Sequence, residues 1–299
     1  MSCPRPVPTL ALEVVLAAVV VALWGCGAPA GQPSSSAPAV QSPAASASPS
    51  PAPTGATPSR TPAAPTVPTT PTTTPSTPTE EPQPLAGRTI VVDPGHNAIW
   101  TRALTRPVPA GNGRKKACNS SGTATNDDWG EHAYNWVQAE ALVRQLEQRG
   151  ARVVLTRPDD NGSGPCVNLR AAAANTNDAD LIISLHADGS FARGARGYHV
   201  IVSTTMVGGP AVERTSLRLA REVRRRMDAT AMPRSTYIGA GTAFSPRTDI
   251  ATLNLSEHPG VMMEMGNMRN ADDVALLRSK DFRRAAAVAL AEAAVAVLD

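Results

Sequence analysis

Three side chains that can bind a metal ion stand at the ends of short apolar runs in the sequence. His96 follows a run of β-branched residues that a Pro-Gly pair stops, His186 closes a second apolar run, and Glu264 closes a third. The carboxyl ends of strands in an open α/β sheet gather along one rim, so we expect these three side chains to lie together. Glu131 begins a helical segment and can point into the same crevice.

Two imidazoles and one carboxylate, with a fourth position open, form the ligand set of a catalytic zinc site. A further carboxylate that does not bind the metal is the usual general base. The four residues therefore predict a zinc-dependent hydrolase. His132 is an alternative ligand to Glu131, which would then be a helix-start charge favoured by the helix dipole. His199 and His258 are interpreted as structural residues.

Most of the remaining chain alternates between strand and helix patterns. Strands without polar alternation, separated by helices, predict an α/β fold. We expect a single domain with a twisted, largely parallel or mixed sheet that helices cover on both faces. The predicted strands are residues 88–93, 151–156, 180–186, 197–203 and 260–264, and the predicted helices are residues 131–149, 167–177, 210–228, 272–277 and 280–298.

The front of the chain predicts export. Residues 1–26 combine a basic start with an apolar run too short to span a membrane, which is typical of a secretory signal peptide. The run ends in Leu-Trp-Gly-Cys, which resembles a bacterial lipobox and makes Cys26 the predicted lipidation site; ordinary cleavage nearby is the alternative. The Pro-, Ser- and Thr-rich residues 27–86 predict a disordered linker, and residues 87–299 form the predicted catalytic domain.

The four cysteines are consistent with an exported protein. Cys3 leaves with the signal peptide, and lipidation of Cys26 leaves Cys118 and Cys166 as a pair. In an oxidising compartment such a pair predicts a disulfide, and two unrelated thiols are the alternative. A zinc site made from these two cysteines is disfavoured because the sequence has no Cys-x-x-Cys pair.

The charge of the chain is small. The formal net charge is +3 over 299 residues, and aromatic residues make up only 3% of them. No basic stripe with interleaved aromatic residues is evident, so we expect no nucleic-acid partner. A modest positive bias would suit an anionic polymer.

Several short segments occur in a characteristic order. They are Ile90–His96 (IVVDPGH), Glu131–Asn135 (EHAYN), Ser184–Asp188 (SLHAD) and Val261–Gly266 (VMMEMG). Together these segments resemble the hallmark blocks of zinc-dependent N-acetylmuramoyl-L-alanine amidases of the amidase 3 family. The resemblance covers residues 88–297 and depends on the order and spacing of the motifs together.

The resemblance implies one Zn²⁺ ion bound by His96, Glu131 and His186, with Glu264 as the catalytic carboxylate. The implied reaction is hydrolysis of the amide bond between N-acetylmuramic acid and L-alanine in peptidoglycan. We expect a monomer that acts outside the plasma membrane, either held there through a lipid anchor or secreted into the cell wall. A zinc peptidase acting on cell-wall stem peptides and a non-catalytic wall-binding regulator on the same scaffold are the alternative functions.

Two residues near the last block depart from the family pattern. Asn267 replaces an aromatic residue, and Arg269 stands where a small residue is expected. The substrate contacts of this region, which also includes Asp188 and Asn270, are therefore left open.

The segment between His96 and Glu131 is long for the family and carries several basic residues. Its Asn112-Gly113 dipeptide is typical of a hairpin turn. We hypothesise that this segment is a flap over the zinc site, clipped in place by a Cys118–Cys166 disulfide, which limits access or grips an anionic wall polymer. A solvated loop is the alternative.

Overall fold

Six strands form one mixed sheet in the computed structural model, which describes residues 83–299. They are β1 (Thr89–Pro94), β4 (Arg152–Leu155), β5 (Leu181–Asp188), β6 (His199–Ser203), β7 (Phe244–Arg247) and β8 (Gly260–Asn267), while β2 (Pro107–Pro109) and β3 (Lys115–Ala117) pair as a separate hairpin. The helices are α1 (Glu131–Glu147), α2 (Val167–Thr176), α3 (Gly209–Met227), α4 (Ala251–Asn254), α5 (Ala271–Arg278) and α6 (Lys280–Leu298).

The strands of the large sheet follow the order β4-β1-β5-β8-β6-β7 in space. The first four strands of this order are parallel to one another, β6 runs antiparallel to β8, and β7 runs parallel to β6. Parallel strands that are buried on both faces have nearly continuous apolar sequences, which explains the missing polar alternation in β1, β5 and β8. The predicted α/β fold with a mixed sheet is confirmed.

Helices α1, α3 and α6 cover one face of the sheet. Leu142 of α1, Leu219 of α3 and Leu290 of α6 are fully buried in one apolar core together with Ile183 and Met263 of the sheet. Burial of each such side chain is worth about 1.5–3 kcal/mol. This helical layer therefore supplies most of the hydrophobic stabilisation of the domain.

The opposite face of the sheet is covered along only part of its length. Helix α2 packs against Ile182 of β5, and the short helix α4 packs against Met262 of β8. Side chains on one face of a strand recur every second residue, so the same face continues with His186 on β5 and Glu264 on β8. The part of this face that α2 and α4 leave open therefore carries polar residues.

All five predicted strands and all five predicted helices are present in the described residues, and β5 and β8 extend beyond their predicted ends to Asp188 and Asn267. Strand β7 and helix α4 were not predicted from the sequence. The strand β7 has the sequence Phe-Ser-Pro-Arg and pairs with β6 alone, so it is an edge strand that tolerates proline.

The predicted signal peptide, Cys26 and residues 27–82 of the predicted linker lie outside the described residues. Within residues 83–299, none of the helices has both the length and the apolar character that a membrane span requires.

The start and the end of the described chain meet at the end of the sheet where β1 begins. The Leu85 amide donates a hydrogen bond to the Arg149 carbonyl at 2.8 Å. The Arg88 guanidinium donates to the Leu298 carbonyl at 2.7 Å. Arg88 immediately precedes β1, and His96 follows the other end of that strand. The two chain ends and His96 therefore lie at opposite ends of β1.

A buried ion pair joins α2 to the end of β1. The side chains of Arg170 and Asp93 are 2% and 1% exposed, and Nη1 of Arg170 donates to Oδ1 of Asp93 at 2.7 Å. Arg170 also donates to the carbonyl oxygens of Pro94 and His96, each at 2.7 Å, and the Ser184 hydroxyl donates to the second Asp93 oxygen at 2.6 Å. Burial alone would raise the pKa of Asp93, but the Arg170 charge and the hydroxyl donors outweigh burial and lower the pKa.

Replacing Asp93 with Asn should lower the free energy of unfolding by about 3–5 kcal/mol near neutral pH, because the substitution leaves the Arg170 charge buried and unpaired. The pKa of Asp93 is lowered by folding, so the stability that Asp93 contributes is present above the ordinary Asp pKa of about 3.9 and is lost as the pH falls through the lower folded-state pKa. Urea unfolding of the wild type and the variant across this range measures the effect.

The exposed Asp178 provides a matched control, and Asp178→Asn should leave the free energy of unfolding nearly unchanged. A wild-type advantage over Asp93→Asn that stays constant from neutral to acidic pH would contradict the assignment.

Candidate metal centre

His96, Glu131 and His186 meet beyond the carboxyl ends of β1 and β5. Nε2 of His96 lies 3.0 Å from Oε2 of Glu131, Nδ1 of His186 lies 2.9 Å from Oε1 of Glu131, and the two imidazole nitrogens lie 3.1 Å apart. The three potential ligand atoms all lie within 4.8 Å of one another, which is compact enough for a single metal ion. The predicted convergence of these side chains on one rim is confirmed.

Hydrogen bonds around the cluster orient its donor atoms. Nδ1 of His96 lies 3.0 Å from the Ser120 carbonyl oxygen, which can accept a hydrogen bond from it, and Nε2 faces the cluster. The Glu131 carboxylate accepts hydrogen bonds from the Thr123 amide at 2.9 Å and the Ala187 amide at 3.2 Å. Glu131 is the first residue of α1, where the helix dipole favours a negative charge.

The backbone around the cluster leaves no room for additional side-chain atoms. A Cβ atom added to Gly95 would overlap the His186 ring, and one added to Gly122 would lie 2.9 Å from both Oε2 of Glu131 and the His96 ring. His96 itself has φ = 60°, a left-handed conformation that is unfavourable for a residue with a side chain. Close packing therefore holds the three donor side chains in place.

Arg157 supports the segments that carry two of the three cluster residues. Its Nε donates to the Pro94 carbonyl oxygen and its Nη2 donates to the His132 carbonyl oxygen, both at 2.9 Å. Pro94 lies two residues before His96, and His132 follows Glu131. Arg157 thus spans the loop after β1 and the first turn of α1.

Glu264 lies beside the cluster in a row of residues that crosses three strands. In the sheet register, Glu264 of β8 is paired with His186 of β5 on one side and with His199 of β6 on the other. Directly paired residues of neighbouring strands project from the same face of a sheet. Within the described residues, Oε2 of Glu264 is buried without a hydrogen-bond partner, so this oxygen is available to a group in the cavity.

The two glutamates of the site have opposite pKa shifts. Burial would raise the pKa of Glu131, but His96 and His186 outweigh burial and hold the pKa well below its usual range. Burial raises the pKa of Glu264 well above its usual range, and the negative charges of Glu131 and Asp188 raise it further. Glu131 therefore stays ionised, whereas Glu264 is suited to exchanging a proton.

The pKa shifts of the histidines in the site also differ from one another. Burial lowers the pKa of His96, but the Glu131 carboxylate and its hydrogen bond outweigh burial, so the net pKa is raised. Burial lowers the pKa of His186, assisted by the charge of His96. Burial lowers the pKa of His199 to about 4, so the ring of His199 is neutral at physiological pH.

The remaining histidines lie away from the cluster. Nδ1 of His132 faces both carboxylate oxygens of Asp160, at 2.9 and 3.0 Å, so His132 does not replace Glu131 in the cluster. His258 lies 4.0 Å from the exposed Asp178. The sequence offered no signal for the pairing of His199 with Glu264, because that pairing depends on the antiparallel placement of β6.

The predicted disulfide between Cys118 and Cys166 is present, and it links the segment after β3 to the start of α2. The β2–β3 hairpin is also present, with Asn112 in its turn, and it rests against the domain. Asn112 donates to the Thr205 hydroxyl at 2.8 Å, and the Lys116 ammonium donates to the Asp249 carbonyl at 3.0 Å.

The hairpin also borders the metal centre. Lys116 lines a cavity of about 280 Å³ that also contains His96, His186 and Glu264. The hairpin therefore forms a side wall of the candidate site.

Comparison with known proteins assigns the family. The Amidase_3 model, described as N-acetylmuramoyl-L-alanine amidase, matches residues 90–296. The chain belongs to this family. The Amidase_3 match includes every residue of the cluster together with Glu264.

Two relatives lie close to this amidase in sequence and in structure. The N-acetylmuramoyl-L-alanine amidase Rv3717 of Mycobacterium tuberculosis is 39% identical over 213 residues, which are 70% of this chain and 86% of that protein. The apo crystal structure of the N-acetylmuramyl-L-alanine amidase Ami1 from Mycobacterium abscessus is similar with a TM-score of 0.68 and 41% identity, covering 72% of this chain and 100% of that chain.

Replacing both Cys118 and Cys166 with Ser should lower the free energy of unfolding by about 4 kcal/mol, because the disulfide closes a loop with a sequence separation of 48 residues. Urea unfolding under non-reducing conditions measures the change. A reducing agent should shift the wild type toward the double variant and should leave the double variant unaffected. Equal midpoints for the oxidised wild type and the double variant would contradict a stabilising disulfide.

Proposed function

We propose that this member of the amidase family is a zinc-dependent peptidoglycan hydrolase that cleaves the amide bond between N-acetylmuramic acid and L-alanine. The observation that carries the proposal is the convergence of three potential ligand atoms next to the unpartnered carboxylate oxygen of Glu264. Family membership supports the substrate class. Relatives that are named as amidases support the choice of bond.

His96, Glu131 and His186 would hold the zinc ion. Two imidazole nitrogens and one carboxylate oxygen fit zinc, whereas magnesium and calcium prefer oxygen donors alone. The imidazole nitrogen that His96 presents to the other two donors supports this assignment. When bound, zinc lowers the pKa of a water molecule and polarises the carbonyl group of the scissile amide.

Glu264 would transfer the protons of the reaction. Its pKa is raised toward neutral pH. A group with such a pKa can take a proton from the attacking water and return one to the leaving amine of L-alanine. Its unpartnered Oε2 leaves one oxygen free for this exchange. The ionised Glu131 would remain a ligand throughout.

The location of the enzyme forms part of the proposal. A signal peptide in residues 1–26 would export the chain, lipidation of Cys26 would attach it to the outer face of the membrane, and residues 27–86 would serve as the linker. A monomer of residues 87–299 would then hydrolyse peptidoglycan in the cell wall. Intact-mass analysis of the exported protein tests the cleavage and the lipid modification.

Glu264→Gln should reduce the rate of peptidoglycan hydrolysis by about 10²–10⁴-fold and leave zinc content unchanged, because the variant loses proton transfer but keeps the cluster. Mass spectrometry of digested cell wall measures the release of stem peptides that begin with L-alanine. Glu140→Gln, at an exposed position on α1, is the matched control and should retain full activity. Fragments cut within the stem peptide, with no free L-alanine end, would instead indicate a peptidase.

Metal analysis tests the ligand assignment separately. The wild type should contain one zinc ion per chain, and His96→Ala and His186→Ala should each lose most of it, because two protein ligands hold zinc much less tightly than three. His132→Ala should keep its zinc because His132 contacts Asp160 instead of the cluster. Loss of zinc from His132→Ala with full retention in the other two variants would refute the assignment.

A further inference from the structure

Arg269 and Phe191 form a stacked pair on the segments that follow β8 and β5. The guanidinium carbon of Arg269 lies 4.7 Å from the centre of the Phe191 ring, and Phe191 is 80% exposed. Nη1 of Arg269 donates to the Thr125 carbonyl oxygen and to Oδ1 of Asn126, both at 3.3 Å. The contacts orient the guanidinium and leave an apolar ring next to it on the surface.

Asn267 fastens together the two loops that carry this pair. The side chain of Asn267 is buried, its Nδ2 donates to the carbonyl oxygens of Ser190 and Ala195 at 2.9 and 2.8 Å, and its Oδ1 accepts from the amides of Ser190 and Arg269 at 3.0 Å. The aromatic residue expected at this position could not make these four hydrogen bonds. The asparagine at position 267, which departs from the family pattern, thus fixes the position of Arg269 relative to Phe191.

The acidic residues near Arg269 in the described part of the chain pair with other arginines. Asp127 pairs with Arg278 at 2.7 Å, and Asp273 pairs with Arg196 at 3.2 Å. No ion pair joins Arg269 to a carboxylate of residues 83–299, and its Nε is buried without a hydrogen-bond partner in that range. An anionic ligand would therefore find an oriented guanidinium that no carboxylate of the described residues occupies.

Two loops that line the cavity of the cluster also reach the surroundings of Arg269. Thr123 lines the metal cavity, and two residues later Thr125 lines the groove of about 390 Å³ that contains Arg269. On the other loop, Gly189 lines the metal cavity and Phe191 follows two residues later. A peptide whose amino end lies at the metal can extend between these loops to Arg269.

We propose that Arg269 and Phe191 form a subsite for the free carboxylate of the second residue of the stem peptide. This inference rests on the proposed function, which puts L-alanine, the first residue of the stem, at the metal centre. In a stem whose second residue is an acidic amino acid joined through its side chain, the α-carboxyl group is left as a free anion or as an amide. A guanidinium binds a carboxylate through parallel charge-assisted hydrogen bonds, which an amide cannot match.

The test compares two muramoyl-peptide fragments that differ only in this group, one with the free α-carboxylate and one with the amide. The zinc-loaded full chain should cleave the free-acid fragment with a kcat/KM on the order of tenfold higher, as expected for one charge-assisted contact at a half-buried site. Arg269→Gln should lose this preference by a decrease on the free-acid fragment alone, and Arg269→Lys should retain part of it.

Arg214→Gln, at an exposed position on α3, is the matched control because α3 contributes no residue to the groove. This variant should keep the full preference for the free acid. Equal kcat/KM values for the two fragments in the wild type would overturn the proposal. An equal loss on both fragments in Arg269→Gln would also overturn it, since that result indicates only a structural role.

Binding measurements separate the subsite from the proposed function. The inactive Glu264→Gln variant, loaded with zinc, should bind the free-acid fragment about tenfold more tightly than the amide fragment. A wild type that cleaves neither fragment while Glu264→Gln still shows this difference would refute the amidase reaction and leave the subsite intact. Cleavage of both fragments with equal kcat/KM, together with equal binding of both fragments to Glu264→Gln, would support the amidase reaction and refute the subsite.

Discussion

The hydrogen bonds of Arg170 determine the course of the backbone that leads from β1 to the His96–Glu131–His186 cluster. A guanidinium that is 2% exposed needs acceptors for its hydrogens, and Asp93, Pro94, His96 and Asn97 supply them. The backbone from β1 to the first cluster residue must adopt the one course that presents these oxygens. That course includes the unfavourable left-handed φ of His96, which persists because the surrounding contacts outweigh it. The position of His96 is thus set through its backbone, by a charge that makes no hydrogen bond to the three donor side chains.

The two glutamates of the site have opposite pKa shifts because their surroundings differ. Glu131 lies between two imidazoles and accepts backbone hydrogen bonds, so its negative charge is compensated on all sides. Glu264 is buried near other carboxylates and has an oxygen without a partner, so its negative charge is disfavoured. The ionised form of the same side chain is therefore favoured in one place and disfavoured in the other, which is the contrast on which the proposed proton transfer by Glu264 relies. The partly uncovered face of the sheet brings the two environments next to each other.

Much of this arrangement could be predicted from the sequence, because local patterns carry it. Apolar runs that end in His186 and Glu264 locate the carboxyl ends of buried strands, and the order of the motifs along the chain is enough to indicate the family. The antiparallel placement of β6, which brings His199 next to Glu264, could not be predicted, because strand direction depends on contacts far apart in the chain. The same holds for the position of Arg269, which depends on hydrogen bonds that Asn267 makes to a loop distant in sequence.

The contact between Arg88 and Leu298 brings the beginning and the end of the described chain to one end of the parallel strands, and His96 follows the other end. The length of β1 therefore separates the two chain ends from the cavity that contains the cluster. Changes in the sequence at either end of the described residues thus act at a distance from the side chains that line this cavity.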